Sequence, residues 1–179
     1  MENKSFDEMA KDKTGTIYHD EMRDGIRFIV LRGPAALCAY AGIPLVHPLA
    51  GFHYEDLAVN AHGGLTFSNA GDGKLRPKGF WWFGWDYGHC DDCAFYYLEY
   101  PELQSLANGK KWTVKKVVDD SWEALHDMAK LKKLAEQLGI VRRIKRIFKC
   151  YLGIAIRTIK SLYQHFKHKE VGNADKRAI

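Results

Sequence analysis

The sequence predicts an α+β fold: an antiparallel sheet backed by a long amphipathic helix, followed by a basic C-terminal helix. Three observations predict it. Short β-branched and aromatic runs fill the first half of the chain. Apolar residues then recur at spacings of three and four from Val114 to Leu138. A second stripe of that period starts at Ile140, with basic residues on its other side. Strands first and helices later is the order of an α+β chain.

The strands are read in turn. Thr16 to His19 and Gly25 to Leu31 have the composition of strands, and Gly33-Pro34 closes the second. Cys38 to Ile43 is a third, ended by Pro44. His47 to His53 is a loop punctuated by Pro48 and Gly51. Leu57 to His62 is read as a further strand, which Gly63-Gly64 bends or bulges before Leu65-Thr66-Phe67 continues it. Residues 69–78, with Gly71, Gly73 and Pro77, form an exposed turn, and Phe80 to Trp85 is a strand dense in aromatics.

The helices follow. Thr113 is the predicted N-cap of a helix whose stripe is Val114, Val117, Val118, Trp122, Leu125, Met128, Leu131, Leu134 and Leu138. That stripe should cover one face of the sheet, and Gly139 should end it. The next stripe runs through Ile144, Ile147, Tyr151, Ile159 and Leu162, opposite Arg142, Arg143, Lys145, Arg146 and Lys149. The predicted organisation is a mobile N-terminus over 1–14, a core domain over 15–139, a basic helix over 140–169 and a polar tail over 170–179.

The 179 residues suffice for one domain with an appendage, and an aromatic share of 13% supports a substantial core. The net charge of +5 conceals an asymmetry. Residues 1–139 hold 16 Lys and Arg against 20 Asp and Glu, whereas residues 140–179 hold 11 against 2. The body is acidic and the tail basic, so the overall charge argues for no nucleic-acid partner. A basic tail can dock on an acidic body, most simply in a homo-oligomer; a membrane surface or a host protein are the other surfaces it suits. The N-terminus carries no apolar signal core and no run is long enough to span a bilayer, which reads as a cytoplasmic protein with reduced thiols.

Chemistry concentrates between His62 and His89. His62 beside Gly63-Gly64 and near Thr66 combines a group that exchanges protons near neutral pH with backbone amides open to an anion. A β-bulge whose histidine serves a loop carbonyl accounts for the same residues. Asp86 and His89 lie three apart at the end of an aromatic strand, where a carboxylate can orient an imidazole; a polar turn is the plainer account. Asp91 and Asp92 add acceptors or a cation site. Trp82 and Trp85 are candidates to stack a planar ligand, against their reading as a buried strand, and His47 lies at a loop that can border a pocket. Cys90 and Cys93 form a lone CxxC that, even with His89 and Cys38, lacks the spacing of a zinc site. No metal or cofactor is called for.

The segments Cys38 to Pro44, His47-Pro48-Leu49, Tyr54 to Leu57, His62-Gly63-Gly64-Leu65-Thr66-Phe67 and Trp82 to Asp86 with His89 resemble, in order and spacing, a family of small phage, prophage and bacterial proteins. Those proteins share a His-Gly-Gly-Leu-Thr motif and a Gly-Phe-Asp-x-x-His motif. The resemblance covers roughly Cys38 to Gly139. It departs from the pattern at Trp85, usually Phe, and at Asp92, where a Gly-Asp pair would end the motif. It implies a phage setting, in the host cytoplasm, and by analogy a part in countering nucleotide-based immunity.

Three functions fit these residues. The first is a phosphodiesterase-like hydrolase of a nucleotide second messenger. In it His62 and His89 share base and acid work, Asp86 orients His89, and Gly63, Gly64 and Thr66 hold phosphate oxygens. Trp82, Trp85 and His47 complete the substrate contacts. The second is a sponge that binds the same ligand without chemistry. The third is an inhibitor of a host protein acting through the basic helix.

Overall fold

Five strands form one antiparallel sheet in the order β1-β2-β3-β5-β4, in a computed structural model that describes residues 4–139. They are β1 (Ile17–Arg23), β2 (Ile26–Arg32), β3 (Leu37–Pro44), β4 (Phe67–Ala70) and β5 (Phe80–Asp86). β1 and β2 meet at a two-residue turn in which Asp24 (φ 52°) and Gly25 (φ 78°) are both left-handed. That pair of conformations matches the twist of a tight hairpin, and Asp-Gly is a sequence that adopts it.

Register explains the packing. Phe28 pairs with Ala41 and Ala41 with Phe83; Val30 pairs with Ala39 and Ala39 with Trp85. Two small residues of β3 thus separate two bulky rows, and all six side chains belong to the main core cluster. The opposite face carries Ile29, Leu31 and Trp82, covered by Tyr40, Phe67, Leu75 and Phe80. β5 is therefore buried on both faces, which is why its apolar run barely alternates.

The helices back the first face. Thr113 caps α3, its side chain accepting from the Lys116 amide, ahead of a helix that runs through Asp120; the neighbouring α2 (Tyr96–Glu99) and the N-terminal α1 (Phe6–Ala10) are short. The helical path bends at Ser121 and resumes as α4 over residues 122–139. Ser121 donates its hydroxyl to the Val117 carbonyl at 2.7 Å, a back-bond that bends helices. Val117, Ala124 and Met128 are buried in the main core, with Leu125 and Leu131 packed against it. The predicted stripe stops contributing there: Leu134 and Leu138 are about half exposed.

Two local expectations are corrected. The N-terminus, expected to be mobile, forms α1 with a full capping box between Ser5 and Glu8. It is docked by buried Phe6 and Met9, and by Arg32, which donates to the Ala10 carbonyl at 2.9 Å. Leu57 to His62 is no strand. Among the described residues it has no ladder partner: the Val59 and Ala61 amides bond to the Leu57 and Val59 carbonyls, and the Asn60 amide donates to Asp127 Oδ2 at 3.2 Å. Leu57, Val59 and Ala61 still face the core, so the period of two records alternate burial of an extended segment rather than strand pairing.

The chain divides into two compact units, Met1–Ala135 and Glu136–Ile179. The sheet lies in the first. Beyond Gly139 the second lies outside the described residues, and with it the basic helix predicted over 140–169 and the tail over 170–179. Among the described residues, no helix is long and apolar enough to cross a membrane.

Candidate functional site

The site is built on a turn and a loop that close on each other. At the turn, the Gly64 amide donates to the Ala61 carbonyl at 2.8 Å, with His62 and Gly63 between them and Gly63 at φ 64°. The loop follows β5: the Asp92 amide donates to the His89 carbonyl at 2.9 Å, and the His89 amide donates back to Asp92 Oδ2 at 3.0 Å. This folds residues 89–92 tightly and sends the Asp92 carboxylate inward, where its side chain is 3% exposed.

Asp92 is the hub. Its Oδ2 lies 2.7 Å from His62 Nε2, and its Oδ1 accepts from Trp112 Nε1 at 2.6 Å. Trp112 is placed by the helix start. It precedes the Thr113 cap, and with Val117 it occupies the two positions of a hydrophobic staple, both buried in the main core. Burial pushes the Asp92 carboxyl upward, but hydrogen bonds from Trp112, His62 and the His89 amide outweigh that, and the carboxyl is held below its usual range.

His62 is enclosed by rings. It stacks on Tyr87 with centroids 4.7 Å apart and planes 6° from parallel. Trp112 meets it edge-on at 4.9 Å, and His89 lies 5.2 Å away. Its side chain keeps 24% exposure. Among the described residues Asp92 is its hydrogen-bond partner, through Nε2, which leaves Nδ1 unbonded. Lys110 adds a cation beside the site, its Nζ 3.4 Å from the Trp112 ring centroid. Tyr87 ties the stack to the helix bend. Its hydroxyl is 3.0 Å from Ser121 Oγ and donates to Asp120 Oδ2 at 3.0 Å, and burial drives its phenol well above the usual range.

His62 and His89 are thus brought together, but with unequal access. The His89 ring occupies the space a Cβ on Gly63 would take, and its Nε2 is buried with no hydrogen-bond partner among the described residues. In this arrangement His89 is half-buried and packs against the turn with Nε2 turned inward.

The other expected contacts divide. Asp86 does not orient His89. It accepts from the Gly88 amide at 3.0 Å and pairs in register with Cys38, on the sheet face opposite Trp85. Strand alternation sends Trp85 and Tyr87 one way and Asp86 the other. Asp92, three residues after His89, meets only its backbone amide, and its carboxylate serves the His62 imidazole instead. Trp82 and Trp85 are 0% and 2% exposed and are core residues, not stacking surfaces. His47 is buried, its Nδ1 accepting from the Leu49 amide at 3.1 Å within its own loop. Gly64 spends its amide on Ala61, so it has no N–H to offer a phosphate. Thr66 is exposed, with its amide bonded to the Gly84 carbonyl next to β4.

Among the described residues no three His, Cys, Asp or Glu side chains gather as metal ligands. Cys93 is buried and Cys90 exposed. Cys38 is pushed up to about 11, chiefly by burial and then by the Asp86 charge, which makes it a poor nucleophile.

No family model, curated protein or solved structure matches this chain.

Proposed function

We propose that this protein binds a phosphate-bearing nucleotide at His62 and hydrolyses its phosphodiester, with His62 and Asp92 as the acid–base pair. The observation that carries the reading is the 2.7 Å contact from His62 Nε2 to the buried Asp92 carboxylate, with Nδ1 left unbonded on a partly exposed ring. A carboxylate on one nitrogen fixes the tautomer and makes the other nitrogen the proton acceptor. Nδ1 takes a proton from the attacking water as its oxygen bonds to phosphorus. The bond to the leaving oxygen breaks, and the same proton passes to that oxygen. Lys110 and the exposed Thr66 hydroxyl are groups available to non-bridging oxygens. In the phage setting that the resemblance implies, the nucleotide is a second messenger of bacterial immunity.

A second reading, a sponge that holds the nucleotide intact, is favoured by one specific observation. The His89 ring lies against Gly63 with its Nε2 buried, so that nitrogen is not presented for leaving-group protonation.

The test is to incubate the full chain with a panel of cyclic di- and trinucleotides and ADP-ribose derivatives, and to chromatograph the small molecules before and after denaturing the protein. Degradation that disappears in a folded His62→Gln variant supports the hydrolase. Ligand lost from solution and recovered intact supports the sponge. No change with any compound removes both.

A further inference from the structure

A cavity of about 380 Å³ opens between the β1–β2 hairpin and α4, and its lining shares no residue with the His62 site. This is within the size range of small-molecule pockets, roughly 300–1,000 Å³. Its floor is apolar: Ile26 and Phe28 are buried, and Leu125 and Ala129 of α4 face them across the space. Its charged lining residues, among them Arg23, Asp24 and Glu123, are exposed.

Trp122 marks it out. Four of the five tryptophans donate their indole N–H within the protein: Trp81 to the Phe52 carbonyl, Trp82 to the Pro77 carbonyl, Trp85 to the Tyr87 hydroxyl and Trp112 to Asp92. Trp122 lines the cavity, is 38% exposed, and its N–H has no partner among the described residues. The Arg23 guanidinium lies 3.7 Å from its ring centroid, which holds that cation at the cavity, and it has no carboxylate partner among the described residues. Asp24 is fixed at the hairpin tip by its left-handed backbone, and neither it nor Glu123 has a hydrogen-bond or ion-pair partner among the described residues.

Groups of both signs, unpaired among the described residues, above an apolar floor are complementary to a small molecule that carries both charges and an apolar group. We infer that this cavity binds a small zwitterion with an apolar side group, of the free hydrophobic α-amino acid class. Its carboxylate faces Arg23 and the Trp122 N–H, its ammonium faces Asp24 and Glu123, and its side group lies on Phe28 and Leu125. The inference is independent of the chemistry proposed at His62.

The experiment uses the full chain and three probes: L-phenylalanine, phenethylamine, which lacks the carboxylate, and 3-phenylpropionate, which lacks the ammonium. Binding is followed by calorimetry and by the indole N–H resonances, with Trp122 assigned from Trp122→Phe. L-Phenylalanine is expected to bind saturably and about tenfold or more tighter than either analogue, since each charged hydrogen-bonded head adds affinity. It should shift the Trp122 resonance and leave that of Trp112 in place. Ala129→Trp, which fills the cavity, should abolish binding; Ala129→Leu, a milder filling, should weaken it if the larger residue disturbs the fold. The inference is overturned by no saturable binding of L-phenylalanine, by analogues that bind as tightly, by a response at Trp112 instead of Trp122, or by unchanged affinity in a folded filled variant.

Discussion

The imidazole of His89 stands where the side chain of residue 63 would be, so Gly63 and His89 can share this turn only because one of them has no Cβ. Gly63 also holds a left-handed backbone, at φ 64°. Gly63→Ala meets both obstacles together. It should lower unfolding free energy by about 2 kcal/mol or more, because the strained backbone and the displaced ring add. Denaturant unfolding followed by circular dichroism checks this. A loss below about 0.5 kcal/mol, the range of an ordinary surface change, would contradict the placement of His89.

Asp92→Asn leaves the shape and removes the charge that Trp112, His62 and the His89 amide all bond. Breaking such a buried network should cost about 2–4 kcal/mol near neutral pH. The sign of the pH effect follows from the lowered Asp92 pKa. A carboxyl depressed on folding contributes its stability above its unfolded pKa, near 3.9, and loses it as pH falls through the folded value. The difference between parent and variant should therefore be greatest above about pH 5 and shrink below about pH 4. Paired unfolding curves across that range decide it.

Tyr87→Phe keeps the ring beneath His62 but removes the hydroxyl shared by Ser121, Asp120 and Trp85. The expected loss is about 1–2 kcal/mol, since Trp85 Nε1 is left without its acceptor inside the core. The variant should keep the binding or turnover assigned to His62, because the stacked face is unchanged. Thermal unfolding and the nucleotide assay together separate these two roles of Tyr87.

Arg32→Met tests how the N-terminus is held. The guanidinium is buried and bonds the carbonyls of Ala10, Met9 and Gly33. Removing it strands those acceptors and should cost about 3 kcal/mol. Protease cleavage within residues 4–14 should become faster than in the parent, as read by mass spectrometry. A variant with unchanged cleavage would mean that the other contacts of α1, buried Phe6 and Met9 and the Asp7–Lys111 pair, suffice to dock it.

Much of this was legible from the residues, because strands and helices advertise themselves through local composition and period. β1, β2, β3 and β5 follow their β-branched and aromatic runs, and Thr113 caps the helix it was expected to cap. Leu57 to Ala61 misleads because alternating burial needs only an extended chain against a core, whereas a strand also needs a neighbour. β4 occupies the edge of β5, and residues 57–61 have no place in the ladder. The site was legible as a region and not as a set of contacts. His62 and His89 do converge. The carboxylate that serves His62 could not be chosen, since Asp86 and Asp92 both lie far along the chain from it and near His89. What decides is that Asp86 lies within a strand whose alternation turns it away, while Asp92 lies in a turn that folds it inward. Trp112 left one trace in the sequence, an aromatic residue just before a threonine cap with valine at the staple position.

The His62 turn is made early in the chain, yet every group that gives its imidazole a role, Tyr87, His89, Asp92 and Trp112, is made later. During synthesis from the N-terminus, His62 leaves the ribosome without a carboxylate, a stack or a lid. It must wait until the helix cap at Thr113 has emerged, a delay on the order of seconds at ordinary elongation rates. A shorter delay applies to β4, whose neighbour in the sheet is β5. A nascent chain that stops just short of Trp112 has all five strands of the sheet and a site that lacks its Trp112 donor. Any activity at His62 therefore appears only after the sheet and the first turn of α3 are both in place.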